Sequence, residues 1–166
     1  LTPVDNDKGN LKKQINNVVK PLLKMYRFQS MGEFRALLSL YNIGVEEVKG
    51  EVNGCNYHGI LYSALNKDGK KNGTPIKSSV LGKSTGIAAI EKQMQQSGTV
   101  IKDKKLKERT RRVVSAAIQR TRTESDFRKE LSAQGIDLVL RRNEDNRIYG
   151  VTFIDHRNRV VLNGSR

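Results

Sequence analysis

A single cysteine, Cys55, leaves the chain without an internal disulfide or a cysteine-built zinc site. It fits a reducing cytoplasm, the expected location. The two histidines, His58 and His156, stand far apart, and no carboxylate spacing completes a metal triad around either. No metal or other cofactor is therefore expected. No Ser-His-Asp set can be assembled, because Asp155-His156 is a neighbouring pair and neighbours on a strand or turn point apart. No run of about 18 apolar residues occurs, so a membrane-spanning helix is not expected. No signal-peptide apolar segment follows Leu1. Tryptophan is missing and aromatics make up 5% of the chain, yet the apolar content of 36% is enough for a core.

Acidic residues are scarce. Seventeen Asp and Glu face thirty-one Lys and Arg, a net charge of +14 over 166 residues. Half of that excess lies between residues 102 and 122. Lys102, Lys104, Lys105, Lys107, Arg109, Arg111, Arg112, Arg120 and Arg122 stand there against Asp103 and Glu108. A field of this kind draws polyanions, nucleic acid before anionic membrane.

The chain also carries its own alignment. Ser30-Met31-Gly32-Glu33-Phe34-Arg35 leads to Leu38 and Ile43-Gly44-Val45. Thr123-Glu124-Ser125-Asp126-Phe127-Arg128 leads to Leu131 and Ile136-Asp137-Leu138. Phe to Ile is nine residues in both. Further on, Tyr57-His58-Gly59-Ile60-Leu61-Tyr62 answers Ile148-Tyr149-Gly150-Val151-Thr152-Phe153. The offset is 93 in the first block and 91 in the second. A weaker match sets Asn16 to Val19 and Leu22-Leu23 over Arg111 to Val114 and Ala117-Ile118. An internal repeat fixes an architecture more firmly than one motif.

The expected fold is α+β with an internal duplication, each unit a helix packed on about three antiparallel strands, with connecting helices. In the first half, residues 1–98, Leu11, Ile15, Val18, Leu22 and Tyr26 recur at three and four, predicting a helix over 10–26. Pro21 should kink or restart it. Ser30 and Glu33 form a capping box for a helix over 30–41. Asn42 and its mate Gly135 both suit a left-handed helix terminus. Strands are expected from Val45, Val48 and Val52 through the Asn53-Gly54 turn to residue 82, the second being Gly59 to Leu65 and the third Ile76 to Leu81. Ser84 or Thr85 should cap a connecting helix over 84–97, with residues 95–102 as the linker. In the second half, residues 99–166, a basic helix over 103–120 precedes a capped helix over 123–134 and strands over 136–162.

Gly82-Lys83-Ser84-Thr85 looks like the end of a phosphate-binding loop. The full motif needs a glycine five residues before Gly82, and Lys77 stands there. Lys83 is still a candidate phosphate contact, since a helix start follows it. The candidate nucleic-acid contacts are Lys83, Lys104, Lys105, Lys107, Arg109, Arg111 and Arg112, with Arg141, Arg157 and Arg159 from the second unit's strands. Arg109 and Arg112, three apart, and Lys105, one turn earlier, are the expected helix face. Arginine dominates the second half, which favours bidentate phosphate contacts.

Several strings are similar to a known region. They are Tyr26-Arg27-Phe28-Gln29, Leu37 to Ile43, Val45 to Glu51, Ile148 to Arg157 and Asn163-Gly164-Ser165-Arg166. They resemble the segment behind the nuclease domain in relaxase/mobilisation proteins of Bacteroides-type mobile elements. The resemblance implies a place in plasmid or transposon transfer. The family's nuclease domain nicks one strand at the transfer origin with a tyrosine and a His-hydrophobe-His metal site. This chain has no such cluster, so the nicking chemistry carries over to no residue. With the Leu1 start and the Arg166 end, it is read as a non-enzymatic piece of a longer protein. The expected function is a DNA-binding module that holds transfer-origin DNA, single- or double-stranded, beside the nuclease domain of the same parent chain. The alternative is an interaction module that docks relaxosome or coupling-machinery proteins. No membrane is expected as a partner.

Overall fold

The computed structural model describes residues 1–164, together with the backbone but not the side chain of Asp103. Ser165 and Arg166, read above as part of the resemblance, lie outside the described residues. Among the described residues, six helices and two three-stranded antiparallel sheets make up the α+β fold. Helices α1 (Leu11–Met25) and α2 (Met31–Ser39) precede strands β1 (Ile43–Val52), β2 (Cys55–Leu65) and β3 (Lys71–Lys77). A short α3 (Ser78–Leu81) and a 3-10 turn, Lys83–Thr85, lead into α4 (Ile87–Asp103). Helices α5 (Leu106–Arg120) and α6 (Glu124–Ala133) precede strands β4 (Ile136–Arg142), β5 (Ile148–Asp155) and β6 (Val160–Asn163).

The chain divides into two compact units. One takes Leu1–Met25 and Leu37–Gln93, the other Tyr26–Ala36 and Met94–Arg166. The segment Tyr26–Ala36, expected with the first half, is thus grouped with the second unit. The reason is visible in its bonds. Arg27 bridges Val160 in parallel, the Phe28 N–H donates to Ser97 Oγ, and Glu33 Oε2 accepts from the Asn163 N–H at 3.1 Å.

The duplication extends to hydrogen-bond register. Ile43 faces Ala64 and Val48 faces Gly59 in β1–β2. Ile136 faces Asp155 and Arg141 faces Gly150 in β4–β5. These pairs obey the offsets of 93 and 91 seen in the sequence. Phe34 and Phe127 lie on the equivalent helices α2 and α6. At the mated helix ends, Asn42 has φ 61° and Gly135 φ 75°. Their carbonyls accept from the Leu65 and His156 N–H groups, another mated pair. The weaker match also holds in outline, since α1 and α5 are both 15 residues long and start 95 apart. It breaks at one position. Leu23 is 6% exposed, whereas its mate Ile118 is 60% exposed.

In the first unit, α1 buries Ile15, Val18, Val19, Leu22 and Leu23, and β2 buries Ile60, Tyr62 and Ala64. Pro21 sits inside α1 without ending it. The buried Tyr62 hydroxyl donates to the Thr85 carbonyl at 2.7 Å, and burial pushes its pKa up. In the second unit, Ala117, Leu131, Ile136 and Leu138 form the centre, with Val113, Val114, Phe127 and Phe153 packed on it. Phe28 stacks on Phe34, centroids 4.9 Å apart. Among the described residues, no helix is long and apolar enough to cross a membrane.

Several expected bounds move. Residues 95–102 are helical, not a linker, because Ser97 and Ile101 are buried and draw α4 on to Asp103. The connecting helix starts at Ile87 rather than at a Ser84 or Thr85 cap. Thr85 is instead buried, its hydroxyl bonded to the Gly82 carbonyl. The third strand ends at Lys77, and Ser78 to Leu81 is helical rather than extended. The basic helix begins at Leu106, because Lys105 takes a left-handed conformation, φ 52°, as its N-cap. The capping box exists in a shifted form: Ser30 Oγ accepts from the Glu33 N–H, while Glu33 Oε1 accepts from Gln29 rather than Ser30.

Candidate nucleic-acid interface

Helix α5 carries both a core face and a charged face. Thr110 and Ala117 are buried and Val113 and Val114 half-buried, while Arg111, Arg112 and Arg120 are exposed. Residues eight apart lie about 80° apart on a 3.6-residue helix, within one broad stripe, and Arg112 and Arg120 border the same groove. Helix α6 is started by Thr123, whose Oγ1 accepts from the Asp126 N–H at 3.1 Å. It places Lys129 opposite that face. Between the two helices runs an open groove of about 500 Å³, bordered by Arg112, Arg120 and Lys129 over Val113, Ala116 and Ala133. Glu130 is the one acid on its walls. Sequence reading found Arg112 but missed Arg120 and Lys129. The eight-residue spacing on α5 was the available signal for the first. Lys129 needed the α5–α6 packing.

The eight other candidate cations of the second unit do not form one surface. Arg109 turns inward. Its Nη1 donates to Asp155 Oδ2 at 2.6 Å and its Nη2 to the Gln134 carbonyl at 2.6 Å. Asp155 is fully buried, and Thr110 Oγ1 and the Arg157 and Asn158 N–H groups also donate to it. Arg109 is therefore a structural cation, and the expected face of Lys105, Arg109 and Arg112 does not exist. Lys104 and Lys105 are exposed on the turn before α5, and Lys107 is half-buried. Arg111 is exposed but has an interaction of its own.

Arg141 is also held within the fold. Its guanidinium lies so close to Gly32 and Gly150 that a Cβ at either would approach it within 3.0 Å. Its Nη2 donates to Asn163 Oδ1 at 3.1 Å, and its Nε is buried without a hydrogen-bond partner. The guanidinium carbon sits 5.5 Å from the centroid of the Tyr149 ring. Arg141 thus braces Tyr149, which is 65% exposed. Beside Tyr149 lies a groove of about 610 Å³ lined by Ile118, Phe127 and Val151. A second groove shares those three residues and adds Arg122, Arg142 and one acid, Glu124. The result is an apolar, aromatic platform with basic borders. Arg157 and Arg159 are exposed on the β5–β6 turn, where Arg159 has φ 54°. Lys83 belongs to the first unit and is exposed on its 3-10 turn.

Both histidines are engaged. His58 Nε2 lies 2.7 Å from Glu47 Oε2, and its Nδ1 lies 3.8 Å from Glu91. His156 Nε2 lies 2.7 Å from Asp137 Oδ2, and its Nδ1 lies 2.5 Å from the buried Tyr26 hydroxyl. Sequence reading had no way to join residues 26, 137 and 156. Among the described residues, no group of three or more His, Cys, Asp and Glu could hold a metal ion.

The His156 contact lowers the Asp137 pKa, first through its hydrogen bond and then through charge. A carboxyl lowered on folding adds stability above its unfolded pKa, about 3.9, and loses it as pH falls through the folded value. Asp137 is half-exposed, so solvent screens much of the effect. Urea midpoints measured downward from pH 5 should therefore fall more steeply for the parent than for Asp137→Asn. Parallel slopes would show that the pair adds nothing to acid stability.

Compared with family models, curated proteins and solved structures, the chain matches none.

Proposed function

We propose that this chain is a non-catalytic nucleic-acid-binding module that holds DNA through its phosphates. The observation that carries the reading is the α5–α6 groove, where Arg112, Arg120 and Lys129 line an open channel with one acid among them. Side chains of this kind contact phosphates without reading sequence. The exposed Tyr149 adds a stacking face, and base–aromatic stacking favours strands whose bases are free. The resemblance supplies the setting. In a relaxase/mobilisation protein the module would sit in the cytoplasm behind the nuclease domain and hold transfer-origin DNA. The nicking would belong to that domain, and the purified chain should leave transfer-origin DNA intact with or without divalent metal.

Fluorescence anisotropy with short single- and double-stranded DNA at several salt concentrations tests the reading. Affinity should fall steeply with salt, because each neutralised phosphate releases counterions. Tyr149→Ala should weaken single-strand binding by about five- to a hundredfold, the range for one stacked base, and leave duplex binding nearly unchanged. Equal losses on both would assign Tyr149 a role other than stacking. Salt-independent binding, or none, would turn the reading toward partner docking.

A further inference from the structure

The first unit leaves part of a strand edge open. Strand β2 pairs with β1 from Cys55 to Ala64, but with β3 from Leu61 onward. At Lys77 the chain leaves the sheet and turns into α3. Residues Cys55 to Ile60 therefore have no ladder partner on that side among the described residues. Unpaired N–H and C=O groups in a row are a template for another extended chain. Proteins usually blunt such an edge with proline, a bulge or a covering element. Here the β2 bulge falls between Tyr62 and Ala64, past the open stretch.

The edge faces a cleft of about 870 Å³. One wall is the β2 stretch from Tyr57 to Leu61. The other is built from α3, the 3-10 turn and the start of α4. Val48, Ile60, Ile87 and Ala88 supply apolar surface and Lys77 and Lys83 supply charge; among the described residues no acid lines the cleft, Glu47 and Glu91 lying against its His58. Both lysines are exposed. The Tyr57 ring lies across Gly50 at the outer end of the stretch, 48% exposed.

We propose that this cleft binds an extended acidic peptide as an added strand on β2. Main-chain groups of the open edge supply the ladder, and alternate peptide side chains meet the apolar wall and the two lysines. The unpaired edge favours a peptide over nucleic acid, because a strand edge offers a main-chain ladder that a sugar-phosphate backbone does not match. The proposal is independent of the DNA reading, which rests on the second unit.

The test uses the full chain, isotopically labelled, and a pool of blocked eight-residue peptides alternating Asp or Glu with varied apolar residues. Amide shifts should appear across Tyr57 to Ile60, with slowed hydrogen exchange at every second residue of that stretch, whose N–H points away from β1. A pool with Lys in place of the acids should leave them unmoved. The double variant Lys77→Glu, Lys83→Glu, shown by its amide spectrum to keep its fold, should lose about tenfold in affinity for the acidic pool. It should gain affinity for the basic pool. Unmoved edge amides with the acidic pool, or affinity indifferent to the charge reversal, overturns the proposal. So does a single-stranded oligonucleotide that protects those same amides more strongly than any peptide.

Discussion

Replacing Asp155 with alanine is expected to destabilise the chain by about 3–5 kcal/mol, the range for breaking a buried ion pair by removing one partner. Asp155 is fully buried at the end of β5 and gathers four donors: Arg109 Nη1, Thr110 Oγ1 and the N–H groups of Arg157 and Asn158. Two come from α5 and two from the turn toward β6, so one carboxylate ties the basic helix to the second sheet. Alanine would leave the largely buried Arg109 guanidinium without its acid and two backbone donors without acceptors. Domains of this size have about 5–15 kcal/mol to lose, so the variant should be unfolded well before the parent in a urea titration. A loss below about 1 kcal/mol would mean that solvent reaches this site. The same arrangement warns against reading Arg109 as a DNA contact. Any loss of binding in Arg109→Ala would come at least partly from a loosened α5.

That distinction marks the limit of what the sequence could say. The cap residues Thr123 and Asp126, the nine-residue Phe-to-Ile spacing and the paired Asn42 and Gly135 depend on neighbours within a few positions. They pointed to the two helix-plus-sheet units; the cross-strand register that sets Gly59 against Val48 and Gly150 against Arg141 came only with the structure. Charge on α5 was equally plain, but its direction was not. Arg109 and Arg112 are both basic and three apart. What separates them is Asp155, 46 residues downstream of Arg109. Arg141 is held within the fold by Asn163, in space that Gly32, more than a hundred residues upstream, leaves open. Residues 95–102 read as a linker because Ser97, Gly98 and Thr99 are weak helix formers. Burial of Ser97 and Ile101 outweighs that propensity.

The cations left facing solvent carry the other large effect. Arg112→Ala, Arg120→Ala and Lys129→Ala together should weaken DNA binding by one to two orders of magnitude near 0.1 M salt and flatten the log–log salt slope by about two to three units. The three side chains border one groove, and none is ion-paired with an acid among the described residues. Removing them should therefore cost little stability, unlike the change at Asp155. The loss should be of similar size for unrelated DNA sequences, because phosphate contacts carry no base information. Lys104→Ala and Lys105→Ala, on the turn before α5, serve as the comparison. If the groove positions the strand, they should reduce affinity less per charge removed. Equal losses per charge at the two places would describe a diffuse positive field instead of a groove. Unchanged affinity in the triple variant would leave α5 a solvated face and withdraw the DNA-binding reading.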